Sequence, residues 1–96
     1  MRWKISGFIL EFYDANSGAV IGNAGESSHY GGSMPSLGDI VFVPESKKDF
    51  GLPRDPGKSY AHDVKGRYFF PTLDGPCLVK ITVIKRTASD FEMKLL

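Results

Sequence analysis

A chain of 96 residues with 42% hydrophobic and 24% charged side chains makes one small folded domain, and twelve Lys/Arg against eleven Asp/Glu leave a net charge of +1. Intrinsic disorder needs fewer apolar residues, and attraction to nucleic acid or a membrane surface through bulk charge needs a larger imbalance. Cys77 is the one cysteine, which excludes a disulfide within the chain and a cysteine-clustered metal site. No apolar run approaches the roughly 18–20 residues of a membrane span. These features read as a cytoplasmic protein held together by packing, with no membrane association, cofactor or metal expected.

Trp3 to Tyr13 is rich in aromatic and branched residues without a helical stripe, so it reads as the first strand. Phe8, Leu10 and Phe12 share one side of it; Trp3, Ile5, Ile9 and Tyr13 share the other. A strand apolar on both sides is either central or covered on its outer face. Asp14 to Gly18 is a turn by composition, and Ala19 to Ile21 a short returning strand. Residues 22–36, with four glycines and no apolar period, read as a long loop. The turn Pro35 to Asp39 launches a buried strand, Ile40 to Val43, which Pro44 stops. Residues 45–61 form a second long connection broken by Pro53, Pro56, Gly51 and Gly57.

Val64, Tyr68 and Phe70 alternate with Lys65, Arg67 and Phe69, and a Leu73-Asp-Gly-Pro76 turn follows. Cys77, Val79, Ile81 and Val83 then alternate with Leu78, Lys80, Thr82 and Ile84 in the cleanest two-residue period of the chain. The two segments are expected to pair antiparallel across Asp74-Gly75, with Phe91 to Leu96 returning as a last strand. The fold expected is all-β: a single domain over residues 1–96, a small antiparallel β-barrel or strongly curled sheet of five to six strands, SH3-like ahead of OB-like. Its expected core is Phe8, Leu10, Phe12, Ile40, Phe42, Val64, Tyr68, Val79, Ile81 and Val83.

The sequence has no phosphate loop, dinucleotide fingerprint, H-E-x-x-H helix or G-x-S-x-G elbow. His29 and His62 sit beside Tyr30 and Asp63. With Asp39 they would make an acid–base or metal cluster only if the loops converge, and no spacing requires that. Ser27, Ser28 and His29 are too close in sequence for a nucleophile and its base, and Cys77 is in register with core positions. No catalytic residue is therefore assigned, and a small enzyme or metal site built on the histidines stands as an alternative.

Surplus apolar surface is the more informative signal. Trp3, Tyr13, Phe69, Leu78 and Ile84 lie opposite the core side of their strands, and a small barrel has room inside for one set only. They are the expected interaction surface of a non-catalytic protein-binding or self-associating module. The alternative partner is single-stranded nucleic acid, for which Lys65, Arg67, Phe69, Lys80 and Arg86 would supply cations and a stacking ring.

Overall fold

Residues 7–54 and 60–96 are described by the structure, a computed structural model. Their branched and aromatic segments form five strands: β1 (Phe8–Asp14), β2 (Val20–Glu26), β3 (Ile40–Val41), β4 (Tyr60–Phe70) and β5 (Cys77–Thr87). Single 3-10 turns cover Ser27–Tyr30 and Lys47–Asp49, and one short helix, α1, spans Asp90–Lys94. The strands make one sheet in the order β2-β1-β5-β4-β3.

The β1–β2 turn is built by Asp14. Its carbonyl accepts the Gly18 N–H and its carboxylate the Ser17 N–H, both at 2.8 Å. Gly18 supplies the left-handed backbone the turn requires, at φ 77°. β2 then runs to Glu26, well into the segment expected to be loop.

The sheet is mixed, not purely antiparallel: β1 runs parallel to β5, from Phe8 opposite Cys77 to Asp14 opposite Val83. β1 is therefore central, with β2 and β5 on its two edges. The β4–β5 hairpin forms across residues 71–76, pairing Phe70 with Leu78. No sixth strand follows in Phe91–Leu96. Ser89 accepts the Glu92 N–H at 3.2 Å while Glu92 accepts the Ser89 N–H at 2.8 Å, a capping box that starts α1. The Ser-x-x-Glu signal outweighs the alternation of Phe91, Met93 and Leu95.

Leu10, Phe12, Val41, Val43, Val64, Val79, Ile81 and Val83 form the core, with Phe8, Ile21, Tyr30, Met34 and Cys77 packed against it. Full burial of each large apolar side chain contributes about 1.5–3 kcal/mol. Two expectations for this core are corrected. Val41 and Val43 point inward while Ile40 is 48% exposed and Phe42 half-buried, so β3 has the opposite phase. Tyr68 is 56% exposed. Between Val64, opposite Val83, and Gly66, opposite Thr82, Lys65 is an extra residue without a partner. This bulge reverses the alternation for the rest of β4.

The sheet curls strongly into a half-barrel until β2 meets the segment after β3. The Asn23 N–H donates to the Pro44 carbonyl at 3.0 Å. Gly22, at φ 64°, sits so close that a Cβ there would fall 2.5 Å from the Pro44 oxygen and 2.7 Å from Val43 Cγ1.

Candidate functional site

Residues directly opposite one another in a sheet project to the same side. In β1 and β5, Ile9 faces Leu78, Glu11 faces Lys80 and Tyr13 faces Thr82. In β4 and β5, Phe70 faces Leu78, Tyr68 faces Lys80 and Asp63 faces Ile84, while Val20 of β2 faces Tyr13. All of these lie on the outer side, away from Leu10, Phe12, Val79 and Ile81. Tyr30 and Met34 of the first long loop pack on the core side instead, and Tyr68, Phe70 and Val20 are exposed.

Lys80 sits at the centre of this face. Its ammonium lies 5.2 Å from the ring centroids of both Tyr13 and Phe70, so the cation bridges aromatics on two different strands. The Tyr13 hydroxyl donates to Glu11 Oε1 at 2.8 Å, and this bond to the carboxylate raises the phenol pKa. Glu11, Tyr13, Lys80 and Phe70 therefore form one tied cluster, with Leu78, Ile9 and Tyr68 around it.

At the far end the face is occupied from within. Arg86 donates to Asp63 at 2.9 Å and bidentately to Glu92 at 2.7 and 2.8 Å, so α1 is fastened to the sheet. The Arg86 bonds, reinforced by the Ser89 backbone N–H, hold the Glu92 carboxyl down at about 2, and the two carboxylates push the Arg86 pKa up.

Of the expected interaction surface, Tyr13, Leu78 and Ile84 share this outer face, and Trp3 lies outside the described residues. Phe69 is on the other side: the bulge turns it toward Val79, where it meets Phe8 edge-on at 6.3 Å. The basic set divides likewise. Lys80 and Arg86 are on the outer face, with Arg86 engaged by two carboxylates. Arg67 lies over the Phe69 ring at 5.8 Å on the inner side, and Lys65 is the exposed bulge residue. Tyr68, Phe70 and Val20 were not expected on the outer face. For the first two the signal was Gly66, a glycine inside a strand pattern, which marks a bulge.

The histidines separate. His29 is exposed, with Nδ1 accepting the Glu26 N–H at 3.2 Å and its ring edge-on to Phe50 at 5.1 Å. His62 is 1% exposed, its Nδ1 set between the Val41 carbonyl at 3.1 Å and the Val43 N–H at 3.4 Å. Burial lowers its pKa, so the ring is held neutral, and Nε2 has no partner among the described residues. Ser27 is buried and its hydroxyl accepts the Phe8 N–H at 3.0 Å, a structural bond between β1 and the loop. Cys77 is half-buried at the core margin. Among the described residues no three His, Cys, Asp or Glu side chains are grouped to hold a metal.

A cleft of about 520 Å³ lies between Tyr30–Pro35 and β3, and His29, Asp39 and Arg54 border it. Arg54 is tied to the Phe42 carbonyl at 2.8 Å, and Asp39 accepts the Ser36 N–H at 2.8 Å, so both charged groups have structural work. Among the described residues no helix is long and apolar enough to cross a membrane. Comparison with protein-family models, with curated proteins and with solved structures finds no match for this chain.

Proposed function

We propose that the protein is a non-catalytic interaction module that binds a protein partner through the outer face of its sheet. One observation carries this reading: Tyr13, Tyr68, Phe70 and Leu78 gather around Lys80 on the side opposite the core, and the loop residues Tyr30 and Met34 pack on the core side. Aromatic and aliphatic side chains around a single cation are typical anchors of a protein interface. The unpaired Cys77 and the reliance on packing alone support a cytoplasmic setting.

The arrangement of Lys80 between two rings also suits a nucleobase, which is the second reading. Its electrostatics are weaker, because Arg86 is engaged by Asp63 and Glu92 and Arg67 lies on the other side. With Lys80 as the one phosphate contact among its described residues, the face gives a log–log salt slope of only about −0.7 on single strands.

The test is a matched pair of variants. Leu78→Asp places a charge inside the patch and is expected to weaken partner binding about 30-fold or more, the loss of a hot-spot residue. Leu37→Asp, exposed and off this face, leaves binding unchanged. Fluorescence anisotropy with labelled single-stranded oligonucleotides at two salt concentrations is expected to stay flat. Tight oligonucleotide binding with a slope steeper than about −2, lost in K80E, replaces the protein reading with the nucleic-acid one.

A further inference from the structure

The hairpin that carries the outer face also has an edge that is open among the described residues. β3 pairs with β4 only at Asp63 and His62, and the segment before it bonds Val64, through Gly38 N–H to the Val64 carbonyl at 3.0 Å and Val64 N–H to the Asp39 carbonyl at 2.9 Å. Beyond Val64, no described strand lies along the outer edge of β4.

Which backbone groups that edge presents follows from one hydrogen bond and the register of β4 on β5. Ala15 N–H donates to the Val83 carbonyl at 2.8 Å, so Val83 directs its backbone toward the β1 side of β5. Alternation then turns Thr82, Lys80 and Leu78 toward β4, where they pair with Gly66, Tyr68 and Phe70. Arg67 and Phe69 are left with N–H and C=O pointing outward. The outward bonds of Val64, opposite Val83, agree with this alternation on the other side of the bulge.

We propose that a second copy of this chain pairs antiparallel along this edge, β4 against β4 across a two-fold axis at Tyr68. This association is made by the backbone edge of β4, with Tyr68 and Phe70 meeting the second copy at the margin of the outer face, and it does not rest on the protein-binding reading above. The occupant is chosen by self-complementarity. A two-fold pairing that joins outward groups to outward groups can be centred on residue 67, 68 or 69. Centring on 67 opposes Arg67 to itself, and centring on 69 sets Arg67 against Pro71, which has no N–H to give. Centring on Tyr68 satisfies every outward group: Arg67 exchanges two hydrogen bonds with Phe69 of the second copy, and Phe69 does the same with Arg67.

Side chains agree with that register. Each Arg67 meets a phenylalanine ring across the axis, repeating the contact it makes at 5.8 Å within its own chain. Tyr68 meets Tyr68 in the closely spaced, non-hydrogen-bonded position, and Phe70 covers Gly66, which has no side chain. Pairing stops where Val64 is already bonded. There the hairpin tip of one copy, with Leu73 at 97% exposure, arrives at the 37–40 turn of the other, where Leu37 and Ile40 are also exposed. A patch this narrow predicts a reversible dimer, weaker than a standard interface.

The test uses light-scattering mass against concentration up to about 1 mM, where an association of even millimolar affinity is half-formed. Wild type is expected to approach dimer mass. F69R sets a guanidinium against Arg67 of the second copy and is expected to stay monomeric, while R67E/F69R restores an attractive pair and dimerises again. For register, Y68C in a C77S background is expected to cross-link on oxidation, because closely spaced antiparallel positions bring Cβ atoms to about 4.5–5.5 Å. Y13C in the same background, on the outer face of β1, is not. Circular dichroism of each variant confirms that it folds. A wild type monomeric throughout, with no link through position 68, overturns the proposal while leaving the outer-face reading, tested by Leu78→Asp, as it stands. A dimer that F69R leaves intact and that links through position 13 also overturns it, in favour of face-to-face association.

Discussion

Gly22 and Gly18 both have left-handed backbone, at φ 64° and 77°, yet their surroundings differ. A Cβ at Gly18 meets nothing within 4 Å, whereas at Gly22 it falls 2.5 Å from the Pro44 oxygen and 2.7 Å from Val43 Cγ1. Gly18→Ala therefore carries only the conformational penalty, about 1–2 kcal/mol. Gly22→Ala carries the same penalty and also drives β2 from Pro44. That shift breaks the adjacent Asn23–Pro44 hydrogen bond, worth a further ~0.5–1.5 kcal/mol, and disturbs the buried Val43. The expected losses are about 1–2 kcal/mol for G18A and about 2–4 kcal/mol for G22A. Urea unfolding with an unchanged m-value measures both, and each kcal/mol lowers Tm by roughly 4–8 °C in a domain of this size. If the two variants fall within about 0.5 kcal/mol of each other, the edges of the curled sheet do not meet at Gly22 and the closure is wrong.

The other expectations concern the core and its charged margins. Phe12→Ala, at a side chain 1% exposed that also carries the Tyr30 ring at 6.1 Å, should cost about 3–5 kcal/mol in urea unfolding. His62 has its folded pKa lowered by burial, so the unfolded chain binds its proton first. Stability should be level above pH ~6.5 and fall as the pH drops below it, and H62Q should remove that slope. Glu92 is held at about 2 against an ordinary value near ~4.3, so its contribution is complete above that value and lost as the pH falls toward 2. In R86M a carbon-13 titration should show the Glu92 midpoint moving up toward the ordinary range; an unmoved midpoint would mean that Arg86 is not its cause.

The strands that alternate strictly were legible. Cys77–Thr87 keeps Val79, Ile81 and Val83 inside as its period requires, and the Asp74-Gly75 turn joins it to β4. The pattern of β1, apolar on both sides, left open whether the strand is central or covered on its outer face, and it lies between β2 and β5. What periodicity could not give was parallel pairing, because β1 and β5 lie far apart in sequence and no local residue records the direction in which they meet. The Ile40–Val43 segment is apolar at every position, so either phase fits; the approach of Gly22 to Val43 selects the observed one. For Phe91–Leu96, capping by Ser89 and Glu92 and the hold of Arg86 on Glu92 decided in favour of helix.

Lys65 has the largest consequences for the surface. The bulge falls where the neighbours of β4 change: Ala61–Val64 sits between β3 and β5, and Gly66–Phe70 extends past β3 along β5 alone among the described strands. Gly66 permits the shift, since a Cβ there would lie 2.8 Å from Thr82 Oγ1 and 3.2 Å from the Tyr68 ring. With strict alternation from Val64, Tyr68 and Phe70 would turn inward and Phe69 outward with Lys65 and Arg67, a basic stripe on the outer face. The extra residue exchanges them. It brings two rings to Lys80 and takes Arg67 away, which converts a cationic face into an aromatic one. The same exchange turns the backbone of Arg67 and Phe69 to the open edge, where it would otherwise have been Gly66, Tyr68 and Phe70. Pro71 ends that edge at Phe70, so the outward groups that remain are the two that complement each other across a two-fold axis.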